Sequence, residues 1–355
     1  MQSTRIKGTA SETFPSYRCF SLDACGGLRV IRQGSTLTAS DERGNCMTVA
    51  AHTNDLTEPR ADSKLSTEDQ TRFLSALFGF VFSMEPDCLA VHLSGEGWEP
   101  FIGGLCAIGG HFDAAGPSVR ADMFWQAARL WSPTQAVPYP RHDVYDGRTF
   151  HPLRPPKPSG RVYARFIPWL GGELTLDVAT LGDLPDVHRW MNQPRVNEFW
   201  QEAGDELRHR RYLEGMFADP HIIPLIARFE GRSFGYFEVY WAKEDLIGPF
   251  CAAGDYDRGC HVIIGEEACR GRAWFTAWLP SLLHFMFLDD PRTERIVQEP
   301  QADHHRQLRN LQRSGFSRTG TVELPNKRAA IVEISRRKFF SDRLWHPVDD
   351  ERKTN

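Results

Sequence analysis

Residues 188–200, HRWMNQPRVNEFW, crowd an imidazole, three aromatic rings and several amides around an Asn-Gln-Pro turn. A small, flexible, charged molecule is gripped by such a set, aromatic walls with a few fixed polar groups, and His188, Trp190, Asn192 and Trp200 are the residues here that fit. In GYFEVYW, Tyr236, Glu238 and Tyr240 alternate, so on a strand they share one face and Glu238 could meet an ammonium between two rings. His261 opens the apolar run HVIIG, and Asp303 lies in EPQADHH. Between them, in EEACRGRA, Gly271 precedes a long apolar segment. A glycine at a helix start lets backbone N–H groups approach a pyrophosphate, and the helix dipole favours the anion. Each feature also has a plain structural alternative: core aromatics, a solvent-facing Glu238, a packing glycine, and Asp303 as a helix cap.

The elements that must position these groups follow from periodicity. ELTLDV (173–178) reads as a strand, after which Leu184, Val187, His188 and Met191 share one helical face that Asp183 could cap, with Asn192 to Pro194 ending the helix. DELRHRRYLEGMF is a second helix. IIPLIARF and SFGYFEVYWA, joined by Glu-Gly-Arg, read as an antiparallel hairpin, and CHVIIG as a buried strand feeding the helix AWFTAWLPSLLHFMFL, where Pro280 predicts a kink. A strand ERIVQEP, a helix DHHRQLRNLQRSGF and a final hairpin from SRTGTVEL to RAAIVEIS complete the series. The first half is mixed α and β, with helical patterns over TEDQTRFLSALFGFVFS and RADMFWQAARLW, and carries no chemical motif. Residues 136–160 hold six prolines and predict a linker, with the boundary near 155. No repeat of fixed period is visible.

Bulk properties exclude some function classes. With 42 basic and 46 acidic residues the net charge of -4 gives no polyanion-binding signature, so nucleic acid is not an expected partner. The first twenty residues lack an apolar signal core and no window is long and apolar enough for a membrane span, which predicts a cytoplasmic protein. The eight cysteines form no C-x-x-C pair and no ladder at metal spacing, so reduced structural thiols and no metal are expected.

The order helix, helix, three antiparallel strands, glycine-containing turn into helix, strand, helix, Gly-Phe, strand resembles the Gcn5-related N-acetyltransferase fold over about residues 160–340. RPPKPSGRVYARFIP, HRWMNQPRVNEFW, GYFEVYW, HVIIG and QEPQADHHRQLRNLQRSGF together resemble the hydroxamate siderophore acyltransferases within it, which acylate the side-chain hydroxylamine of hydroxyornithine or hydroxylysine. The resemblance implies an α/β (α+β) chain: a central, mostly antiparallel twisted sheet flanked by helices, preceded by a degenerate α+β domain. Residues 1–155 would be a non-catalytic companion, 156–345 the acyl-CoA N-acyltransferase domain and 346–355 a tail.

The resemblance also implies roles. Ile263, Ile264, Gly265, Arg270, Gly271, Arg272 and Ala273 would hold the acyl-CoA, with Ala268 standing where the superfamily's pyrophosphate loop has Gln or Arg. His261 would be the general base and Asp303 its partner or a substrate-positioning group. A backbone N–H of HVIIG would stabilise the tetrahedral oxyanion. Leu311 occupies the position of the tyrosine that many members use to protonate the leaving thiolate, and His304 that of a common asparagine. The expected activity is hydroxamate formation from acetyl-CoA or another acyl-CoA, and a homodimer is compatible with it. The alternatives are an aminoglycoside-type N-acetyltransferase and a non-catalytic CoA-binding scaffold.

Overall fold

A computed structural model describes residues 16–19, 27–62, 65–127, 130–132, 138–325 and 327–347. In the first half, β1 (Ser16–Cys19), β2 (Leu28–Gln33), β3 (Thr36–Ser40), β4 (Cys46–His52) and β5 (Asp55–Ala61) form an antiparallel meander. Helix α1 (Thr67–Met84) crosses to β6 (Ala90–Leu93), and α2 (Ile102–Ala107), β7 (Gly110–Asp113), β8 (Gly116–Arg120) and the single turn α3 (Ala121–Phe124) follow. Alternate residues of β3 and β4 are buried, as expected of a sheet with one face against a helix. A small hairpin, β9 (Asp143–Tyr145) and β10 (Phe150–Pro152), lies within the proline-rich connection.

The second half begins with β11 (Arg161–Ile167) and β12 (Gly172–Val178). Three helices come next, α4 (Leu184–Met191), α5 (Pro194–Trp200) and α6 (Glu206–Ala218). Then come β13 (Ile222–Phe229), β14 (Arg232–Trp241), α7 (Gly248–Cys251), β15 (Arg258–Ile264) and α8 (Arg272–Asp289). The chain closes with β16 (Arg295–Gln298), α9 (His305–Arg313), β17 (Ser317–Glu323), β18 (Arg328–Ser335) and α10 (Arg336–Ser341). Strands β13 and β14 are buried on both faces. Ile226, Tyr236 and Ile263 pack with Leu184, Val187 and Leu213 of the inserted helices, whereas Leu225, Phe237 and Val239 pack on the α8 side. Two-sided burial explains why their sequences read as continuous apolar runs.

The two sheets have the same plan. Their strand orders are β1-β2-β3-β4-β5-β6-β8-β7 and β11-β12-β13-β14-β15-β16-β18-β17, each with one parallel pair at the fifth and sixth places. The repeat is one of topology, which no fixed sequence period betrays. The halves also share a core: Trp125 stacks between Trp131 (ring centres 4.6 Å apart) and Trp345 (5.1 Å). His284 donates from Nε2 to the Trp125 carbonyl and accepts from Tyr163 Oη at 2.9 Å.

Several expectations change. Of the helix expected over RADMFWQAARLW, the described residues contain only α3, and residues 128 and 129 lie outside them. Asp183 forms a capping box with Thr180 around the turn before α4 instead of capping α4 itself. Residues 195–200 are helical. The proline-rich connection is docked: Arg154 is buried against Glu244 with its guanidinium over Trp241, and Lys157 donates to the Met216 and Phe217 carbonyls. Among the described residues, no helix is long and apolar enough to cross a membrane.

Candidate active site

The site forms where the second sheet divides. β15 pairs with β14 from Arg258 to Ile264, but with β16 only at Arg258↔Ile296 and Gly259↔Val297. Two positions beyond the last shared rung, each arm presents an ionisable side chain, His261 on β15 and Glu299 after β16. His261 Nε2 lies 2.8 Å from Glu299 Oε1, and its Nδ1 lies 3.2 Å from Glu238 Oε2 on the paired position of β14. The imidazole is 38% exposed, while both carboxylates are buried.

Tyrosines complete the clamp. Tyr236 donates to Glu238 Oε1 at 3.0 Å, and Tyr212 of α6 donates to the same oxygen. Tyr240 donates to Glu299 Oε2 at 2.9 Å, and Lys327 Nζ stands 3.4 Å from Oε1. A glycine at 259 is required for this, since a Cβ there would fall 2.2 Å from the Tyr240 ring that lies across β15. Burial disfavours a charged His261, but Glu299 and Glu238 outweigh it and hold its pKa well above the ordinary histidine value. Burial likewise works against the Glu299 carboxylate, yet His261, Lys327 and Tyr240 bring its pKa down to about 2. Burial pushes the Tyr236, Tyr240 and Tyr212 hydroxyls far up, so they act as fixed donors.

Trp200, at the end of α5, is half-buried and meets His261 edge-on at 6.2 Å. Phe199 stacks on His304, joining α5 to the start of α9. At the other end of α5, Arg195 donates to the carbonyls of Ile264 (2.8 Å) and Gly265 (2.5 Å) and pairs with Glu267. The short inserted helix therefore joins the β15 terminus to the roof over His261.

The anticipated cofactor loop follows β15 directly. Gly271 precedes α8 with φ +94, ψ 179, a conformation nearly restricted to glycine, and nothing stands within 4 Å of where its Cβ would be. The first turn of α8 carries no acid and begins with Arg272 and Ala273, so its N-terminal N–H groups and dipole suit an anion. Arg270 pairs with Glu267, and Glu266 with Arg189 and Trp190, which leaves neither loop carboxylate uncompensated. These residues fit the pyrophosphate of an acyl-CoA. Ile263 is core and Ile264 contributes its carbonyl to Arg195.

The expected acceptor residues are rearranged. Asp303 is exposed at the approach to α9, and the carboxylates on His261 are Glu238 and Glu299 instead. Glu238 is therefore a ligand of the imidazole and not a free partner for an ammonium, and Tyr240 is buried as a donor to Glu299. Trp190 is fully buried over Gly265, so it is core and not a wall. Asn192 donates to the carbonyls of His188 and Gly204 and accepts from the Gly204 N–H, which fastens the loop before α6; His188 faces His209, with Nδ1 atoms 2.7 Å apart. Two flanking carboxylates raise the His261 pKa well above the ordinary histidine value, which favours the charged ring over the neutral base expected. Sequence reading missed Glu299, Tyr212, Lys327 and Arg195; for Glu299 the signal was present, at the end of the predicted strand ERIVQEP.

Comparison with known proteins identifies the family. A model of the acetyltransferase (GNAT) domain matches residues 180–324, from the inserted helices to the last hairpin. The N(6)-hydroxylysine O-acetyltransferase of Escherichia coli is 35% identical over 227 residues, covering 63% of this chain and 72% of that protein. Acyltransferase ato1 of Omphalotus olearius is 37% identical over 310 residues, 79% of this chain and 78% of that one. The N(5)-hydroxyornithine:cis-anhydromevalonyl coenzyme A-N(5)-transacylase SIDF of Beauveria bassiana is 40% identical over 198 residues, 54% of this chain. The match spans only 44% of the Beauveria protein's length. On the family match and on relatives covered over two thirds or more of their length, this chain belongs to the Gcn5-related N-acetyltransferases.

Proposed function

We propose that the protein transfers an acyl group from acyl-CoA, acetyl first among the candidates, to the side-chain hydroxylamine of N-hydroxylysine or N-hydroxyornithine. The pyrophosphate would lie on the N–H groups of α8 beyond Gly271, with Arg270, Arg272 and Ala273 beside it, and the acyl end would run along β15 from Gly265 and Ile264 toward His261. Trp200 would wall the acceptor. The names of the Escherichia and Beauveria relatives, a hydroxylysine acetyltransferase and a hydroxyornithine transacylase, support this acceptor class.

The observation that carries the reading is the position of His261, with a buried carboxylate facing each ring nitrogen. A carboxylate on each nitrogen favours the charged imidazole, which is a poor base toward an alkylammonium. A hydroxylamine is far less basic than an alkyl amine and arrives neutral with its lone pair available. The site thus suits a nucleophile that needs no activation. The test is thiol release from acetyl-CoA with hydroxylysine, hydroxyornithine, their unhydroxylated parents and an aminoglycoside in parallel. Turnover confined to hydroxylated amino acids is expected; turnover with an aminoglycoside, or CoA binding without turnover on any acceptor and any acyl donor, would refute it.

A further inference from the structure

We infer that His261 is the proton donor to the departing sulfur of CoA, an inference that rests on the acyltransferase reading above. Both ring nitrogens face carboxylate oxygens, Nδ1 toward Glu238 and Nε2 toward Glu299. A neutral imidazole has one N–H, so it would turn a lone pair toward one of these anions. Two N–H groups satisfy both, and the site enters the reaction with a proton to give.

Other proton sources at the fork are committed elsewhere. Tyr212 and Tyr236 donate to Glu238, and Tyr240 and Lys327 to Glu299. The Cys260 thiol is buried on the opposite face of β15, receives the Gln298 amide, and is pushed up to about 12 by burial. Leu311 is a buried hydrocarbon. His261 is the most exposed of these groups, at 38% against 25% for Lys327.

The clamp also tolerates the transfer. When Nε2–H turns to sulfur, Glu299 retains Tyr240 and Lys327, and Glu238 retains both of its tyrosines. The hydroxylamine nitrogen attacks the thioester carbonyl and the C–N bond forms. The C–S bond then breaks, and sulfur takes the Nε2 proton with the electron pair it carries away. The nitrogen, made strongly acidic by its new acyl group, releases its proton to the now neutral imidazole. Nitrogen has lost one proton, sulfur has gained one, and His261 is charged again.

The experiment is the pH profile of kcat with acetyl-CoA and a hydroxylated acceptor, for wild type and for Glu299→Gln. Proton donation predicts a plateau through neutrality with a fall on the alkaline side, and Glu299→Gln should move that fall to lower pH by about one unit, since one of two stabilising charges is gone. A kcat that instead climbs from the acid side, with the climb displaced in Glu299→Gln, makes His261 a base and overturns the inference. His261→Gln supplies a second check. It should lose about 10²–10⁴-fold in kcat with acetyl-CoA but far less with an acetyl ester of an aromatic thiol, whose thiolate leaves unprotonated; an equal loss with both donors overturns the inference. Absence of wild-type turnover with every hydroxylated acceptor would overturn the acyltransferase reading itself.

Discussion

The two halves of this chain share a strand plan but have opposite chemistry at its centre. In the second sheet the last rung before the division is Gly259↔Val297, and two positions further on stand His261 and Glu299; the corresponding rung of the first sheet is Leu56↔Leu93, and the same step leads to Glu58 and Gly95. Glu58 is exposed and Gly95 has no side chain, so the first fork cannot hold a charged imidazole. The helices behind the forks differ too. α1 begins at a Ser66 cap with Glu68 and Asp69 in its first turn, which repel a pyrophosphate, whereas α8 begins at Gly271 with no acid. Finally, Gly34 and Ser35 alone join β2 to β3, where residues 179–221 in the second half supply α4, α5 and α6. A strand plan is therefore a scaffold, and three local changes decide whether it can carry a reaction.

The comparison would break most severely if the halves behaved as separate proteins. Their shared aromatic core predicts one unfolding transition, and Trp345→Ala, which empties a fully buried site against Trp125, should cost about 3–5 kcal/mol in urea unfolding. Two separate transitions, or loss of only one half's signal, would contradict this. The same seam is acid-sensitive. Burial, against the backbone carbonyls each ring faces, lowers His284 and His346 to about 3. Their folded pKa values lie below the unfolded value of about 6.5, so their contribution is complete above that pH and is lost as pH falls toward about 3. The slope is about 1.4 kcal/mol per pH unit for each histidine. His261 has the opposite sign: its raised pKa contributes stability below the unfolded value, which is lost as pH rises through the folded one. Unfolding free energies measured from pH 7 down to 4 should show the seam's slope and flatten in His284→Phe.

The forks can be set against each other directly. Glu299→Gln should lower the best kcat by about 10²-fold with CoA affinity retained, while Glu58→Gln, at the place His261 holds in the other fork's plan, should leave both unchanged. A comparable loss from Glu58→Gln in stopped thiol-release assays would give the first half a part in the reaction.

Much of this division could be read from the chain, and the failures have definite causes. The order of elements after residue 160 follows from periodicity because both faces of that sheet are covered, which leaves long apolar runs and clear breaks. The first sheet was less legible, since its strands are short and half exposed and its matching topology leaves no repeated motif. At the site, His261 was visible as a histidine opening an apolar strand. Its partners were not, because which carboxylate reaches it depends on where β15 and β16 part, and the pairing register is a three-dimensional fact. Asp303 and Glu299 lie in one short stretch, and only the rung at Val297 tells them apart. Trp190 and Asn192 misled for a different reason: a residue type suited to gripping a ligand is equally suited to filling a core or tying a loop.

The smallest effects should come from the two helix starts, which makes them the finest test of the comparison. Gly271→Ala forces a side chain into a backbone conformation that costs on the order of 1–3 kcal/mol outside glycine. The strain is relieved by reshaping the turn, which withdraws the α8 N–H groups from any anion. The expected result is a modest loss of stability together with a CoA dissociation constant weakened by about tenfold, the equivalent of about 1.4 kcal/mol, read by calorimetric titration. Ser66→Ala removes the bond to the Asp69 N–H and should cost about 1 kcal/mol in stability. CoA binding should not register it, because α1 already carries acids where α8 has none. If Ser66→Ala weakened CoA and Gly271→Ala did not, the cofactor would sit on the first helix, and the division of labour between the halves would have to be reversed.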